Sequence, residues 1–298
     1  MHISLRQLEV FTAVARDNSV TQAADKIGLS QAAASQALGE LEEALGRRLF
    51  DRHGRRVQLN RAGERLLPQA MQVLDRARAI EASDAQAGGS IVIGASLTVG
   101  NYLLPPLIAR YVKDKPERHV SMKLANTEQI VDALLRFELD VGFIEGHARH
   151  TDLHARVWRE DKLVVVAHPE HALAGRRASP DQLARQSWVL RERGSGTREV
   201  FERAIESHFA PQHAPLEFGG PEAIKRAVRA GIGLACMSKA VVEEDIAAKR
   251  LKPVHTPWMN LQRQLTVLIH RHKFFDGSLT AFLSVCGFNS RSSTGSGA

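Results

Sequence analysis

The sequence predicts an α/β protein preceded by a small all-α domain, and three observations predict it. Three capped helical stripes fill the first sixty residues, and short apolar runs alternate with helical segments from about residue 90 onward. The chain has 298 residues, 44% hydrophobic and 24% charged, which supplies about two packed cores at roughly 150 residues each.

The first stripe follows Ser4-Leu5-Arg6-Gln7 and carries Leu5, Leu8, Phe11 and Ala15; the second follows Ser19-Val20-Thr21-Gln22 and carries Ala23, Ala24 and Ile27. Both openings have the S-x-x-Q form of a capping box, in which hydroxyl and amide satisfy free backbone N–H groups at a helix start. Gly28-Leu29 then predicts a turn, Ser30 an N-cap, and Ala34, Ala37, Leu38, Leu41 and Leu45 a third stripe ending at Gly46. A short helix, a tight glycine turn and a second helix with small residues describe a helix-turn-helix. The polar face of its second helix presents Gln31, Ser35 and Gln36, side chains that hydrogen-bond base edges or phosphates in a major groove.

Charge distribution agrees. Net charge is only +7, but Arg47, Arg48, Arg52, Arg55, Arg56 and Arg61 fall in one short segment opposed by Asp51 alone. Val57 and Leu59 alternate after Gly54, so this segment reads as a hairpin wing suited to phosphate contact.

These residues carry a resemblance. Across 5–63, the positions Phe11, Ala23-Ala24, Leu29-Ser30-Gln31, Leu41-Glu42, Leu45-Gly46, Leu49-Phe50-Asp51-Arg52 and Ala62-Gly63 resemble the winged helix-turn-helix of LysR-type transcriptional regulators. Departures are Ala32, where that family often has proline or serine, and Gly39 inside a helix, which costs about 1 kcal/mol relative to alanine. On this reading Thr21, Ser30, Gln31, Ser35, Gln36, Arg52, Arg55 and Arg56 face double-stranded DNA at an inverted-repeat operator.

Leu66, Leu67, Ala70, Val73, Leu74, Ala77 and Ile80 mark a long amphipathic helix, kinked at Pro68 and ended by a Gly88-Gly89 hinge. Its stripe exceeds what a small domain covers, which predicts a dimerisation helix. Apolar runs at 91–95, 120–124, 141–144, 163–167, 188–190, 234–237 and 265–269 then read as buried strands of a mostly parallel sheet. The resemblance implies two Rossmann-like subdomains, arranged as in periplasmic binding proteins, with crossover strands near 161–166 and 261–265. The expected division is a winged helix-turn-helix at 1–61, a linker helix and hinge at 62–89, and an effector domain at 90–289. Within that domain, 90–161 with 265–289 form one subdomain and 162–264 the other; a Ser/Gly-rich disordered tail spans 290–298.

Two strand-to-helix junctions carry hydroxyls. One is Ser96-Leu97-Thr98 before a helix at 101–113; the other is Gly194-Ser195-Gly196-Thr197 before a helix reaching about 208. Free N–H groups and the positive helix end favour an anion there. Ser96 to Pro105 (SLTVGNYLLP), Asn126-Thr127-Glu128, Gly142 to Gly146 (GFIEG) and Gly194 to Arg198 (GSGTR) resemble the branch that senses small oxyanions of sulfur or carbon assimilation. That resemblance implies an effector pocket of Ser96, Thr98, Thr127, Glu145, Ser195, Gly196 and Thr197, and a sulfur oxyanion such as sulfite or sulfate as ligand. Glu145 is the exception in an anion site, explained either by a protonated oxyanion or by a neighbouring arginine. Gly220-Pro221 stands where relatives often have Asn or Ser.

Other signals point nowhere. His147, His150 and His154 fit no zinc spacing, Ser195 is not in a G-x-S-x-G elbow, and no phosphate-loop motif occurs. Neither a metal, a cofactor nor a catalytic residue is expected. Cys236 and Cys286 form no disulfide scaffold or C-x-x-C pair and read as buried thiols. The longest strongly apolar stretches, such as 163–167, fall far short of the roughly 20 residues that span a bilayer. Ala13-Val14-Ala15 follows no signal-peptide core, so a cytoplasmic location is expected. The expected partners are DNA, a small anion, further copies in a homodimer or homotetramer, and RNA polymerase. The rival reading is a solute-binding protein or enzyme whose N-terminal helices serve only dimerisation.

Overall fold

The computed structural model describes residues 2–53, 56–83, 89–148 and 150–288. They divide into two compact units, Met1–Ala87 with His272–Asp276, and Gly88–Arg271 with Gly277–Ala298.

In the first unit the helices α1 (Leu5–Asp17), α2 (Val20–Lys26) and α3 (Gln31–Ala44) each begin on a serine. Ser4 and Gln7 bond reciprocally, Gln7 N–H donating to Ser4 Oγ at 3.2 Å and Ser4 N–H to Gln7 Oε1 at 2.9 Å. Ser19 and Ser30 accept from Gln22 N–H and Ala33 N–H. Gly28, at φ +68°, makes the turn between α2 and α3. Strands β1 (Phe50–His53) and β2 (Arg56–Leu59) pair antiparallel, with Phe50 opposite Leu59. The expected wing tip at Gly54 and Arg55 lies outside the described residues. Phe11, Val14, Ala34, Leu38, Leu41 and Phe50 lie in one buried core.

Helix α4 (Arg61–Ser83) runs through Pro68 and changes the expectation for its stripe. Ala70 and Leu74 are buried in the core of the first three helices, and Leu66 and Leu67 pack against it. The start of the stripe is therefore covered by its own unit, while Val73 and Ile80 stay 45% and 67% exposed. Gly89 has φ +84°, and its expected hinge partner Gly88 lies outside the described residues, as do 290–298.

The second unit begins with β3 (Ser90–Ser96), a π-helical turn (Val99–Leu103) and α5 (Pro105–Lys113). One helix was expected over 101–113. Pro105 and Pro106 lack the N–H groups that would continue the ladder, so the element divides at Leu104. There follow β4 (His119–Ala125), α6 (Thr127–Leu135), β5 (Val141–Glu145) and the long β6 (Leu153–Ala167). Next come α7 (Pro180–Ala184), β7 (Val189–Arg191), α8 (Gly196–Ile205), β8 (Leu216–Phe218) and α9 (Pro221–Arg229). The unit closes with β9 (Ala235–Ser238), α10 (Lys239–Ala247), β10 (Lys252–Val254), β11 (Gln262–His270) and α11 (Gly277–Val285).

The sheet is mixed, correcting the expectation of a mostly parallel one. Its order is β10-β6-β11-β5-β3-β4, with β9 also on β6. Strands β4 and β5 flank β3 in parallel, but β11 runs antiparallel to both β5 and β6, as do β9 and β10 to β6. The reason is the return path: two long strands, rather than helices, join the lobes. Residues 153–162 of β6 pair with β11, and 163–167 with β9 and β10. Each lobe has a buried cluster on both sheet faces, around Ile93 and Leu134 in the first and around Val165 and Val166 in the second.

Candidate ligand cleft and nucleic-acid interface

Strands β3 and β5 end where α8 begins. Ser96 closes β3 and Glu145 closes β5, whereas Ser195 to Thr197 start α8 on the other lobe. The approach is close enough that a Cβ on Gly196 would stand 2.3 Å from the Glu145 carbonyl oxygen. Only glycine permits that contact.

Glu145 is the convergence point, 1% exposed. Its Oε1 accepts from Thr98 N–H at 3.3 Å. Its Oε2 accepts from Thr197 Oγ1 at 2.6 Å and from Arg263 Nη1 at 2.8 Å. Thr127 Oγ1 reaches the Glu145 carbonyl at 3.5 Å, and Arg263 Nη1 also donates to Thr197 Oγ1 at 2.9 Å. Arg263 in turn donates from Nε to Asp161 Oδ2 at 2.7 Å, and its Nη2 lies 2.6 Å from the same oxygen without hydrogen-bond alignment. Asp161 Oδ1 accepts from Ser238 Oγ at 2.8 Å. One buried polar network thus joins both lobes through the two long strands.

Burial alone would push the Glu145 carboxyl up. The Arg263 charge, the Thr197 and Thr98 hydrogen bonds and the Arg191 charge overcome it and hold the group at about 2. Arg263 is itself raised, burial being outweighed by Glu145 and Asp161. The arginine alternative for Glu145 is therefore present in the structure.

Two hydroxyls stand apart from this network. Ser96 and Ser195 are each 3% exposed, and neither Oγ has a partner among the described residues. Ser195 occupies the N-cap of α8 yet its side chain makes no cap bond. Buried polar atoms left unmatched are uncommon and costly. Ser195 and Thr127 also line a cavity of about 590 Å³, whose wall includes Glu128, Asp132, Arg193 and Arg198.

Of the seven expected pocket residues, Thr98, Thr127, Gly196 and Thr197 meet Glu145, while Ser96 and Ser195 are buried two positions before Thr98 and Thr197; only Thr127 and Ser195 line the described cavity. Sequence reasoning missed Arg263, Asp161 and Ser238. A signal existed: Arg263 falls in phase with the buried Leu261, Leu265, Val267 and Ile269, and Asp161 immediately precedes, in the same phase, the buried Leu163 and Val165. A second bridge was also missed. Tyr102 Oη donates to Glu222, which Lys225 Nζ meets at 2.8 Å, joining the π-turn to α9. Cys236 and Cys286 are buried, which pushes both thiols up to about 12.

On the first unit, α3 exposes Gln31 and Gln36, with Ser35 half-buried beside them. Gln31 Nε2 donates to Ser35 Oγ at 3.0 Å, and Gln36 Nε2 to Glu40 Oε1 at 2.9 Å. Ser30 is engaged as the cap of α3, and Thr21 is exposed on α2. Arg47 and Arg48 are exposed just after α3. Arg52 and Arg56 lie on the wing strands with side chains outside the described residues, and Arg55 lies outside them altogether.

Residues 5–64 match the bacterial regulatory helix-turn-helix protein, lysR family, and residues 84–287 match the LysR substrate binding domain. The HTH-type transcriptional regulator YeiE of Escherichia coli K12 is 43% identical over 96% of this chain and 98% of its own. Full-length OxyR of Pseudomonas aeruginosa shares the fold at TM-score 0.72 and 23% identity, over 97% of this chain and 96% of that one. The regulatory domain of Synechocystis CcmR, solved in complex with 2-PG, matches at TM-score 0.61 and 25% identity, over 68% of this chain and 98% of that one. Among the described residues no helix is long and apolar enough to cross a membrane.

Proposed function

The chain belongs to the LysR family of bacterial transcriptional regulators, and from that premise we propose that it binds an inverted-repeat operator on double-stranded DNA as a homodimer or homotetramer and answers to a small oxyanion in the cleft at Glu145. A sulfur oxyanion, sulfite or sulfate, is the ligand class we assign, the choice between carbon and sulfur chemistry resting on the resemblance at Ser96 to Pro105 and Gly194 to Arg198.

The observation that carries the oxyanion is the pair of buried, partnerless hydroxyls, Ser96 and Ser195, each two residues before a threonine that bonds to the Glu145 carboxylate. A compact ligand with several acceptor oxygens satisfies both at once, with the free N–H groups of α8 beside Ser195. The 2-PG complex of the CcmR regulatory domain supports a ligand site in this kind of domain. DNA contact follows from α3 and the wing: Gln31, Ser35 and Gln36 read base edges, while Thr21, Ser30, Arg52, Arg55 and Arg56 hold phosphates.

The test is thermal unfolding of the full chain against sulfite, sulfate, thiosulfate, phosphate, bicarbonate and phosphoglycolate, repeated on Ser96→Ala and Ser195→Ala. Ligand at about 100 times Kd adds about 2.7 kcal/mol of stability. A selective upward shift that either substitution abolishes is the expected result; a flat panel would defeat the oxyanion reading.

A further inference from the structure

Glu145 is the feature of the cleft that an anion site would least be expected to contain, and its bonding shows what it has left to offer. A carboxylate presents about four lone-pair sites. Thr98 N–H takes one on Oε1, and Thr197 and Arg263 take two on Oε2. One acceptor site on Oε1 is unclaimed among the described residues. The Arg263 charge is divided between Glu145 and Asp161 at 2.8 and 2.6 Å, although its Nη2 makes no aligned hydrogen bond. Arg191, the other cation felt by Glu145, pairs with Glu192 at 2.7 Å. Thr197 both donates and accepts. Among the described residues Cys236 also feels the Arg263 charge, and burial keeps it as a neutral thiol.

The groups here with bonding capacity unused among the described residues are the Ser96 and Ser195 hydroxyls, one lone pair on Glu145 Oε1, and Arg263 Nη2, which stays 2.6 Å from Asp161 Oδ2; the free N–H groups at the start of α8 lie beside Ser195. We infer that Arg263 determines which protonation state of an oxyanion the cleft accepts: by holding Glu145 as a carboxylate, it makes the site favour an oxyanion that still carries a proton and exclude one that carries none. The ligand O–H donates to Glu145 Oε1 while other ligand oxygens accept from the serines. A fully deprotonated oxyanion would set acceptor against acceptor, with like charges repelling in a buried site where screening is weak. Arg263 is a positioning residue here, acting through Glu145. The inference rests on the oxyanion reading above and deepens it.

Calorimetric titration of the full chain with sulfite, on either side of the second ionisation of that ligand, and with sulfate tests it. The wild-type chain is expected to bind protonated sulfite, to bind it about tenfold or more weakly once the proton is lost, and to bind sulfate weakly throughout. In Arg263→Gln the buried Glu145 loses its largest stabilising charge and takes up a proton, becoming a donor. Preference then inverts toward sulfate and varies with pH as Glu145 titrates. Arg263→Lys keeps the charge and restores the wild-type order. Glu145→Gln, which leaves the Arg263–Asp161 pair intact, reproduces the inversion without that pH dependence and stands in if Arg263→Gln does not fold. Equal wild-type affinity for sulfate and protonated sulfite, or parallel loss of both in Arg263→Gln, overturns the inference and leaves the oxyanion reading standing. Absence of any oxyanion binding to the wild-type chain overturns that reading, and this inference with it.

Discussion

Gly196 shows how a single residue fixes the cleft. A methyl group there would meet the Glu145 carbonyl oxygen at 2.3 Å and its Cβ at 2.8 Å, so Gly196→Ala must push the start of α8 away from β5. Overpacking of this kind costs about 1–3 kcal/mol, and the substitution is expected to lower the denaturant midpoint and abolish ligand-induced stabilisation together. Wild-type stability in this variant would refute the steric account. Glu145 gives a second prediction through linkage. Its folded value, about 2, lies below its ordinary 4.5, so its contribution is fully present above about 4.5 and disappears as pH falls through about 2. The stability gap between the wild-type chain and Glu145→Gln should narrow across that acid window; a gap constant with pH would contradict it. The meeting of Thr98, Thr127, Gly196 and Thr197 at Glu145 was legible because short hydroxyl and glycine motifs sit beside apolar strand runs. Arg263 was not, because one arginine ahead of a strand looks like a surface charge until the two-residue period is followed through it.

Elements were legible where burial is one-sided or complete and obscure where it is neither. The strands β3, β5 and the end of β6 announce themselves as apolar runs, but residues 154–160 of β6 are mostly exposed and broken up by Arg156, Arg159 and Glu160, so no apolar run marks them as strand. That hidden length is what makes the sheet mixed, since a strand long enough to serve both lobes replaces a helical crossover. Helix α4 carries the opposite lesson: a uniform stripe divides into a part buried in its own unit and an exposed remainder at Val73 and Ile80, seven positions apart. Two exposed apolar residues on one helix face suit a second copy of the same helix. The double variant Val73→Glu, Ile80→Glu is expected to sediment as a smaller species than the wild-type chain. Its thermal midpoint at a matched monomeric concentration should be nearly unchanged, because surface substitutions shift stability by about 0.5 kcal/mol or less. Unchanged sedimentation would assign α4 some other role.

For the whole molecule, function requires that occupancy of the cleft be felt at the operator. Non-specific affinity should come from the wing: Arg52→Ala or Arg55→Ala should weaken binding to every sequence and reduce the slope of log K against log salt by about 0.9 for each phosphate no longer neutralised. Gln31→Ala, in contrast, should cost about 1–3 kcal/mol on the operator and little on random DNA, since its amide lies on the exposed face of α3 beside Ser35. Coupling between the two sites is a free energy, and it must be reciprocal. If the oxyanion changes operator affinity by some factor, saturating operator must change oxyanion affinity by that same factor, which for couplings of about 1–3 kcal/mol is roughly 5- to 150-fold. Titrating the effector with and without operator, and the operator with and without effector, closes the cycle. Equal factors that both collapse to one in Ser195→Ala would place the origin of the coupling in the cleft. Equal factors that survive the substitution would locate it in a ligand site elsewhere, because a ligand with no differential contact cannot shift the equilibrium between the DNA-binding states.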